Sequence, residues 1–367
     1  MKMTFRWYGE GNDSISLSHI KQIPGVEGIV WALHGFPIGE IWPLDKIKQV
    51  KAQADQYGFN VDVVESVNVH EDIKLGLPTR DKYIENYKET IRNLAKVGVK
   101  VICYNFMPVI EWVRTNLRKE MDDGSTALFY EREKVEKLGF LELINLINQD
   151  NRYTMPGYEP EKFGELTKLI DSYKDFTEDD LFNNLEYFLD EIIPVAEEND
   201  IKMGIHPDDP PWSVFGLQRI VTDKKKIRRI LELYDSPSNG LTLCTGSLGS
   251  NLNNNVVEIT KEFADRIVFA HIRNVNVSEN GDFIETSHRT NTGSVDIYGV
   301  VEALHRSNFT GYIRPDHGRH IWGEDSRPGY GLYDRALGVM YLLGIWDSLE
   351  IRKTTSSIVT MYEVESN

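Results

Sequence analysis

The sequence predicts a single α/β domain, a (β/α)8 or TIM barrel that carries two insertions. Eight short runs rich in Val, Ile and aromatic residues alternate with longer amphipathic stretches along the chain. Several of these runs are apolar throughout, which is typical of parallel strands that are buried on both faces. The chain has 367 residues, and because a barrel of this type needs roughly 250, the excess leaves room for insertions.

The eight predicted strands follow the apolar runs in order, at residues 4–8, 28–33, 60–64, 99–106, 202–206, 241–244, 267–272 and 311–315. Six helices are predicted between them, at residues 44–57, 80–97, 179–200, 223–234, 256–264 and 295–307. Thr177, with Asp180 three residues later, is typical of a helix start. A doubly wound open sheet is the main alternative. It is disfavoured because neither a dinucleotide-binding nor a P-loop glycine motif is present.

Two segments exceed what a minimal barrel requires, and each follows a predicted strand. Residues 108–177 follow the fourth strand and are expected to be a charged, aromatic, helical insertion that includes residues 151–157. Residues 275–293 follow the seventh strand and are expected to form a polar loop. Both should lie over the C-terminal mouth of the barrel, with 108–177 as a lid. Since no linker divides the chain, residues 1–367 are predicted to form one domain.

Composition narrows the classes of partner. Asp and Glu outnumber Lys and Arg by 57 to 41, and this net charge of −16 disfavours nucleic acid and anionic membranes. The two cysteines are too few for a disulfide framework. The N-terminus has no apolar stretch typical of a signal peptide, and no apolar run is long enough to cross a bilayer. We therefore expect a cytoplasmic protein that binds a small molecule, and its acidic helices permit a homodimer.

The strongest functional signal lies at the ends of the last four predicted strands. They deliver His206, Cys244, His271 and Asp316, which are 38, 27 and 45 residues apart. Each residue alone has a simpler interpretation, such as a rim hydrogen bond, a buried apolar position or a turn. Together they offer imidazole, thiolate and carboxylate ligands at one rim of a barrel, where they can converge on a divalent transition metal.

Further polar residues accompany the predicted ligands, and the candidates for substrate binding and catalysis are Arg273, Asn274, His288, Arg314, His317 and Tyr330. An arginine at such a rim suits a bidentate grip on a carboxylate, although Arg273 could instead pair with a surface acid. His317 could equally support Asp316. A metal beside Arg, His and Tyr suits proton transfer next to a carboxylate. A sugar-acid dehydratase fits these groups best, and an aldose–ketose isomerase fits them less tightly.

The chain resembles the mannonate dehydratase family, whose barrel is akin to the xylose-isomerase-like group. The resemblance covers nearly the whole chain, and two of its motifs are specific: H-P-D-D-P-P at residues 206–211 and R-P-D-H-G at residues 314–318. Other matching segments are F-R-W-Y-G at 5–9, G-I-V-W-A-L-H at 28–34, L-C-T-G-S at 243–247 and H-I-R-N-V at 271–275.

The resemblance implies dehydration of D-mannonate to 2-dehydro-3-deoxy-D-gluconate in hexuronate catabolism, with Mn2+ or Fe2+ required. It also implies metal ligation by His206, Cys244, His271 and Asp316. Ligand softness alone would suit Zn2+ at least as well as Mn2+, but a closed tetrahedral zinc site has no position for substrate. The catalytic groups it implies are Tyr330, expected here as the base, and His317, expected as the acid. An isomerase of the same barrel group and a non-catalytic sugar-acid sensor remain as alternatives.

Overall fold

A computed structural model of the chain describes residues 1–149 and 163–365. These residues form twelve strands: β1 (Lys2–Arg6), β2 (Gly28–Trp31), β3 (Asn60–Glu65), β4 (Val101–Tyr104), β5 (Asn116–Glu120), β6 (Thr126–Tyr130), β7 (Lys202–Ile205), β8 (Asn239–Cys244), β9 (Ile267–Ile272), β10 (Asn274–Val277), β11 (Phe283–Thr286) and β12 (Tyr312–Pro315). Eight of them close into a parallel barrel in the order β1, β2, β3, β4, β7, β8, β9, β12. The predicted fold class is confirmed, and each barrel strand coincides with a predicted one.

The barrel strands are apolar on both faces because each face meets a separate hydrophobic layer. Val30, Val63, Val101 and Phe269 pack together as one buried cluster, which we assign to the barrel interior. The chain neighbour Ile29 belongs instead to the large core between the strands and the helices. This arrangement is the physical reason for the continuous apolar runs in the sequence.

The described residues also form thirteen α-helices: α1 (Leu17–Ile20), α2 (Leu44–Asp55), α3 (Glu71–Lys74), α4 (Arg80–Ala95), α5 (Arg132–Lys137), α6 (Phe140–Gln149), α7 (Phe163–Ser172), α8 (Glu178–Glu198), α9 (Lys224–Leu233), α10 (Thr245–Gly249), α11 (Val256–Glu262), α12 (Ile297–Arg306) and α13 (Tyr333–Glu365). All six predicted helices are present, with ends shifted by two residues or fewer. Thr177 and Asp180 form a reciprocal capping box at the start of α8. No helix in the described part of the chain is long and apolar enough to cross a membrane.

Both insertions differ from the expected helix and loop, because together they build a second sheet. β5 and β6 form an antiparallel hairpin, β10 and β11 form another, and the four strands pair in the order β10-β11-β6-β5. Helices α5, α6 and α7 follow only after this hairpin, and residues 151–157 lie outside the described residues. The run T-A-L-F-Y in β6 has the β-branched and aromatic character of a strand.

This small sheet stands on the C-terminal rim of the barrel. A single residue, Arg273, separates the end of barrel strand β9 from the start of β10. Next to β5, the Val113 amide donates to the carbonyl of Asp209, which follows β7. Thr126 in β6 exchanges backbone hydrogen bonds with His320, which follows β12. The sheet therefore contacts the rim at three strand ends, while the action of residues 108–177 as a lid stays a prediction.

Candidate metal centre and active site

The ends of β7, β8 and β9 bring together His206, Cys244 and His271. One ligand atom from each residue lies within 4.8 Å of the other two. His206 Nε2 and His271 Nδ1 are 3.1 Å apart. Two nitrogens that each lie about 2.1 Å from one ion, at octahedral to tetrahedral angles, would be about 3.0–3.4 Å apart. The three side chains therefore fit a single divalent ion.

Neighbouring groups hold both imidazoles in the orientation that ligation requires. His206 Nδ1 donates to the carbonyl of Pro207 at 2.7 Å, which leaves Nε2 as the ligand atom. On His271, Nδ1 faces the cluster and Nε2 lies 3.2 Å from a carboxylate oxygen of Glu65. A carboxylate behind a histidine fixes the ring and strengthens it as a ligand.

The electrostatics of the cluster favour a cation. Burial opposes ionisation of Cys244, yet Arg273 and the two imidazoles hold the pKa of its thiol well below the ordinary range. Burial would also lower the pKa of His206, but the adjacent Cys244 sulfur outweighs it and raises that pKa to about 9. Without a metal, the thiolate is thus balanced by a proton on the imidazole. A divalent ion would displace that proton, as metal binding to such ligands generally does.

Asp316, the fourth predicted ligand, lies beside the cluster and not within the group of three. Its Oδ2 is 3.6 Å from the Cys244 sulfur. The same oxygen accepts from Arg273 Nε at 2.9 Å, and Oδ1 lies 2.8 Å from Arg314 Nη1. Burial disfavours its charge, but Arg314 chiefly holds its pKa well below the ordinary range. The carboxylate is therefore anionic and held by two arginines, while its charge opposes that of the neighbouring Cys244 thiolate.

Arg273 and Arg314, both predicted to bind substrate, are already ion-paired. Arg273 Nη2 donates to Asp209 at 2.6 Å, and its Nη1 donates to Glu285 at 3.1 Å. Arg314 Nη2 and Nε donate to the two oxygens of Glu65 at 2.8 and 3.1 Å. Both arginines line the cavity described below, but protein carboxylates neutralise their charges.

His317 and Tyr330 form a hydrogen-bonded pair at the same rim. His317 Nε2 lies 3.0 Å from the Tyr330 hydroxyl, and His317 Nδ1 lies 2.9 Å from Glu285 Oε1. Because the Glu285 carboxylate accepts a hydrogen bond from Nδ1, Nε2 is the nitrogen that forms the hydrogen bond with the Tyr330 hydroxyl. Burial, with smaller effects of Tyr8 and Asp316, raises the pKa of Tyr330 well above its ordinary value.

Two predicted substrate-binding residues occupy other places. The Asn274 amide donates to the carbonyls of Arg289 and Val295, and its oxygen accepts from the amides of Val275 and Val295. His288 is buried against Gly338 of α13. Neither residue lines the cavity. In the structure Asn274 fastens the strand β10 to the following loop and His288 packs against α13, and substrate binding by either residue stays a prediction.

Sequence reasoning missed Glu65 and Glu285. Glu65 ends β3 at the same rim as the predicted ligands, so its position at a strand end could have identified it. Glu285 lies in β11 of the small sheet and is fully buried, where Arg114 also contacts it at 2.7 Å. It gave no signal because the segment was expected to be an irregular loop.

These groups open onto one cavity of about 660 Å³. His206 and His271 line it on the metal side, and His317 and Tyr330 line it beside them. Residues from the first strands complete the wall: Arg6, Tyr8, His34, Glu65, Ser66, Asn68 and Asn105. A cavity with a candidate ion site, a hydrogen-bonded His–Tyr pair and many polar groups suits a small polar substrate.

Taken together, the closed barrel, the His/Cys/His cluster and the His–Tyr pair define a metal-dependent barrel enzyme. Comparison with known proteins specifies the family. The family model described as D-mannonate dehydratase (UxuA) matches residues 1–356, and the chain belongs to this family. The enzyme is accordingly a hydro-lyase, and the predictions of the family and of this reaction class are confirmed.

Similar proteins cover almost the whole chain. The mannonate dehydratase of Shouchella clausii (strain KSM-K16) is 64% identical over 351 residues, covering 96% of this chain and 98% of that protein. The mannonate dehydratase of Bacillus subtilis (strain 168) is 57% identical and covers 95% and 98%. The crystal structure of mannonate dehydratase from Streptococcus suis serotype 2 superposes with a TM-score of 0.88 at 43% identity, covering 96% of each chain.

The barrel also has more distant structural neighbours. A xylose isomerase domain protein from Planctomyces limnophilus superposes with a TM-score of 0.54 at 12% identity, over 95% of this chain and 98% of that one. At this identity the likeness concerns the fold alone. It agrees with the expected xylose-isomerase-like barrel.

Proposed function

We propose that this chain dehydrates D-mannonate to 2-dehydro-3-deoxy-D-gluconate, with a divalent ion held by His206, Cys244 and His271. The observation that carries the proposal is the His317–Tyr330 pair, which lines the same cavity as the two ligand histidines. Removal of the C2 proton and departure of the C3 hydroxyl require a base, an acid and positive charge near the carboxylate. This cavity contains residues suited to each role.

The ion proposed is Mn2+ or Fe2+. Two imidazoles and a thiolate suit several divalent metals, and Asp316 Oδ2, 3.6 Å from the sulfur, is the candidate fourth ligand. An ion that accepts five or six ligands keeps positions open for substrate, which a closed tetrahedral site does not. When bound, such an ion would supply Lewis-acid polarisation of substrate oxygens.

The hydrogen bond between Tyr330 and His317 suggests how the proton moves. Because burial raises the pKa of Tyr330, a free phenolate would be costly in this cavity. We propose that the Tyr330 oxygen takes the C2 proton while its own proton passes to His317 Nε2. His317 then donates a proton to the departing C3 hydroxyl, which leaves as water. The two transfers return both side chains to their starting states.

Glu285 would make His317 suitable for this step. Its carboxylate lies on the far side of the ring, at Nδ1, and is ionised at neutral pH. Burial would raise its pKa, but His317, Arg273 and Arg114 together lower that pKa to about 2. A permanent negative charge at Nδ1 stabilises the imidazolium that forms when Nε2 is protonated.

The test uses chelator-treated protein and a keto-acid assay on D-mannonate. Activity should vanish on chelation and return with Mn2+ or Fe2+, and His317→Gln should remain inactive after metal is restored. Glu279→Gln, in the exposed turn between β10 and β11, serves as the control and should behave as wild type. Activity that persists after complete metal removal would contradict the proposal. Conversion of aldoses to ketoses, with no keto acid from mannonate, would favour an isomerase.

A further inference from the structure

A second group of arginines lies on the side of the cavity formed by β1. Arg6, at the end of β1, and Arg327, in the loop after β12, both lie over the Tyr8 ring, at 4.3 and 4.5 Å from its centroid. His34 packs against the same ring, with centroids 4.9 Å apart. Arg6, Tyr8 and His34 line the cavity, whereas Arg327 contacts the Tyr8 ring and is not one of the lining residues. We call Arg6, Tyr8, His34 and Arg327 the β1 cluster.

The arginines of the β1 cluster have no ion-pair partner among the described residues, in contrast to Arg273 and Arg314. Arg6 Nη1 donates to the carbonyls of Trp7 and Val30, and its Nη2 donates to His34 Nε2 at 3.2 Å. Arg327 Nε and Nη1 are buried and have no hydrogen-bond partner in the described structure. Two guanidinium groups without an ion-pair partner leave positive charge at this wall, and an anion bound in the cavity beside Arg6 would offset that charge.

His34 adds a neutral donor to the β1 cluster. Burial and the neighbouring Arg6 lower its pKa to about 2, so its ring carries one hydrogen at neutral pH. Since Arg6 donates to Nε2, that hydrogen is on Nδ1. The β1 cluster thus presents donors, and the neighbouring carboxylate of Glu65 accepts its hydrogen bonds from Arg314 and not from the cluster.

We infer that the β1 cluster binds the carboxylate of the sugar acid. The identity of this ligand rests on the proposed function, whereas the presence of an anion site rests on the unpaired arginines. The chemistry requires this placement, because the carbon that loses its proton is bonded to the carboxylate carbon. The base and the carboxylate site must therefore be neighbours. Tyr330, the proposed base, packs edge-on against Tyr8 with ring centroids 4.9 Å apart.

A carboxylate bound at the β1 cluster would also be stabilised there as the reaction proceeds. Removal of the C2 proton moves negative charge onto the carboxylate oxygens, and donors already aimed at those oxygens stabilise that charge most when it is fully developed. Arg6 is held by two backbone carbonyls and His34, so it is oriented before substrate arrives. The β1 cluster should therefore affect both binding and turnover.

The test compares an acid with an uncharged analogue in Mn2+-loaded protein. Arg327→Gln removes one charge from the β1 cluster and leaves the metal ligands untouched. Arg327→Lys retains the positive charge but lacks the paired N–H donors of the guanidinium group. Arg306→Gln, at an exposed position of α12, is the control for loss of a surface charge. The measurements are kinetics on D-mannonate and competitive inhibition by D-mannitol, which has the same carbon chain without a carboxylate.

We expect Arg327→Gln to raise KM for D-mannonate by about 10-fold, because it removes one of the two positive charges that attract the carboxylate and removes no residue that lines the cavity. Inhibition by D-mannitol should stay as in wild type, and Arg327→Lys should recover part of the loss. An unchanged KM, or equal weakening of D-mannitol and D-mannonate, would overturn the inference. Circular dichroism and the melting temperature establish that the variants are folded.

Calorimetric titration of D-mannonate separates this inference from the proposed function. If wild type binds D-mannonate without turnover and Arg327→Gln weakens that binding, the β1 cluster is a carboxylate site although the dehydratase assignment fails. If wild type dehydrates D-mannonate and Arg327→Gln binds it equally well, the dehydratase assignment stands and the carboxylate lies elsewhere. Arg6→Lys provides a second variant, which changes the arginine of the β1 cluster that donates a hydrogen bond to His34.

Discussion

Replacement of Glu285 by glutamine tests whether the small sheet takes part in catalysis. Glu285 lies in β11, outside the barrel, and is fully buried. Its Oε1 contacts Arg114 Nη2 at 2.7 Å, Arg273 Nη1 at 3.1 Å and His317 Nδ1 at 2.9 Å. Glutamine keeps the shape and one acceptor oxygen but removes the charge. The substitution therefore isolates what that charge does for the arginines and for His317.

The structure supports two estimates, one for the change in folding stability and one for the change in kcat. Arg273, Arg114 and His317 outweigh burial and lower the pKa of Glu285 from 4.5 to about 2, which corresponds to about 3 kcal/mol of folding stability at neutral pH. Loss of one charge-assisted hydrogen bond to His317 should add a barrier of about 1.5–3 kcal/mol, or about a 10- to 100-fold fall in kcat. KM should change much less, because Glu285 faces His317 from behind.

The assays are steady-state kinetics on D-mannonate and chemical unfolding at several pH values. A carboxyl with a lowered pKa stabilises the fold above its unfolded pKa of 4.5, and this stability is lost as the pH falls toward 2. The stability difference between wild type and Glu285→Gln should therefore shrink over that range. Glu279→Gln, in the same hairpin but exposed, should match wild type in both assays. A Glu285→Gln variant with wild-type kcat would refute the role assigned to Glu285.

Three further predictions concern the rest of the site. Cys244→Ser should reduce the metal retained after dialysis, measured by elemental analysis, because a hydroxyl replaces a thiolate whose pKa is already lowered; equal retention would exclude the sulfur as a ligand. Tyr330→Phe should lower kcat by about 100- to 10,000-fold with an unchanged melting temperature, since it removes the proton-transferring hydroxyl from an otherwise intact cavity. His288→Leu should leave kcat and KM at wild-type values, because the ring does not line the cavity; a large loss of activity would restore it as a substrate ligand.

The barrel was predictable because its strands are buried on both faces. Such strands appear as continuous apolar runs, and parallel strands place their carboxyl ends at one rim, so the meeting of His206, Cys244 and His271 followed from their positions at strand ends. The small sheet was not predictable in the same way. β5, N-L-R-K-E, is charged and mostly exposed, and the pairing of β6 with β11 joins segments more than 150 residues apart. No pattern within a short stretch of sequence indicates that two distant segments pair.

The roles of the predicted arginines also depended on information absent from the sequence. Arg273 and Arg314 were expected to grip the substrate because arginine suits a carboxylate. The structure places a buried protein carboxylate against each of them, and Glu285 reaches Arg273 only through the unpredicted β11. Residue type and a strand-end position indicate what a side chain can bind, but the competing partners depend on the complete fold.

The charges around the cavity explain how an acidic chain can select an anionic substrate. With a net charge of −16, the protein as a whole repels a sugar acid, but at physiological salt this repulsion fades over about 8 Å. Near the metal cluster, Glu65, Asp209, Glu285 and Asp316 balance the buried arginines, so the strongest local attraction there is for a cation. On the side of β1, Arg6 and Arg327 form no ion pair with a carboxylate among the described residues. A molecule with a carboxylate at one end and hydroxyls along its chain would therefore bind in one direction, with its acid group beside Tyr330 and its hydroxyls toward the ion site.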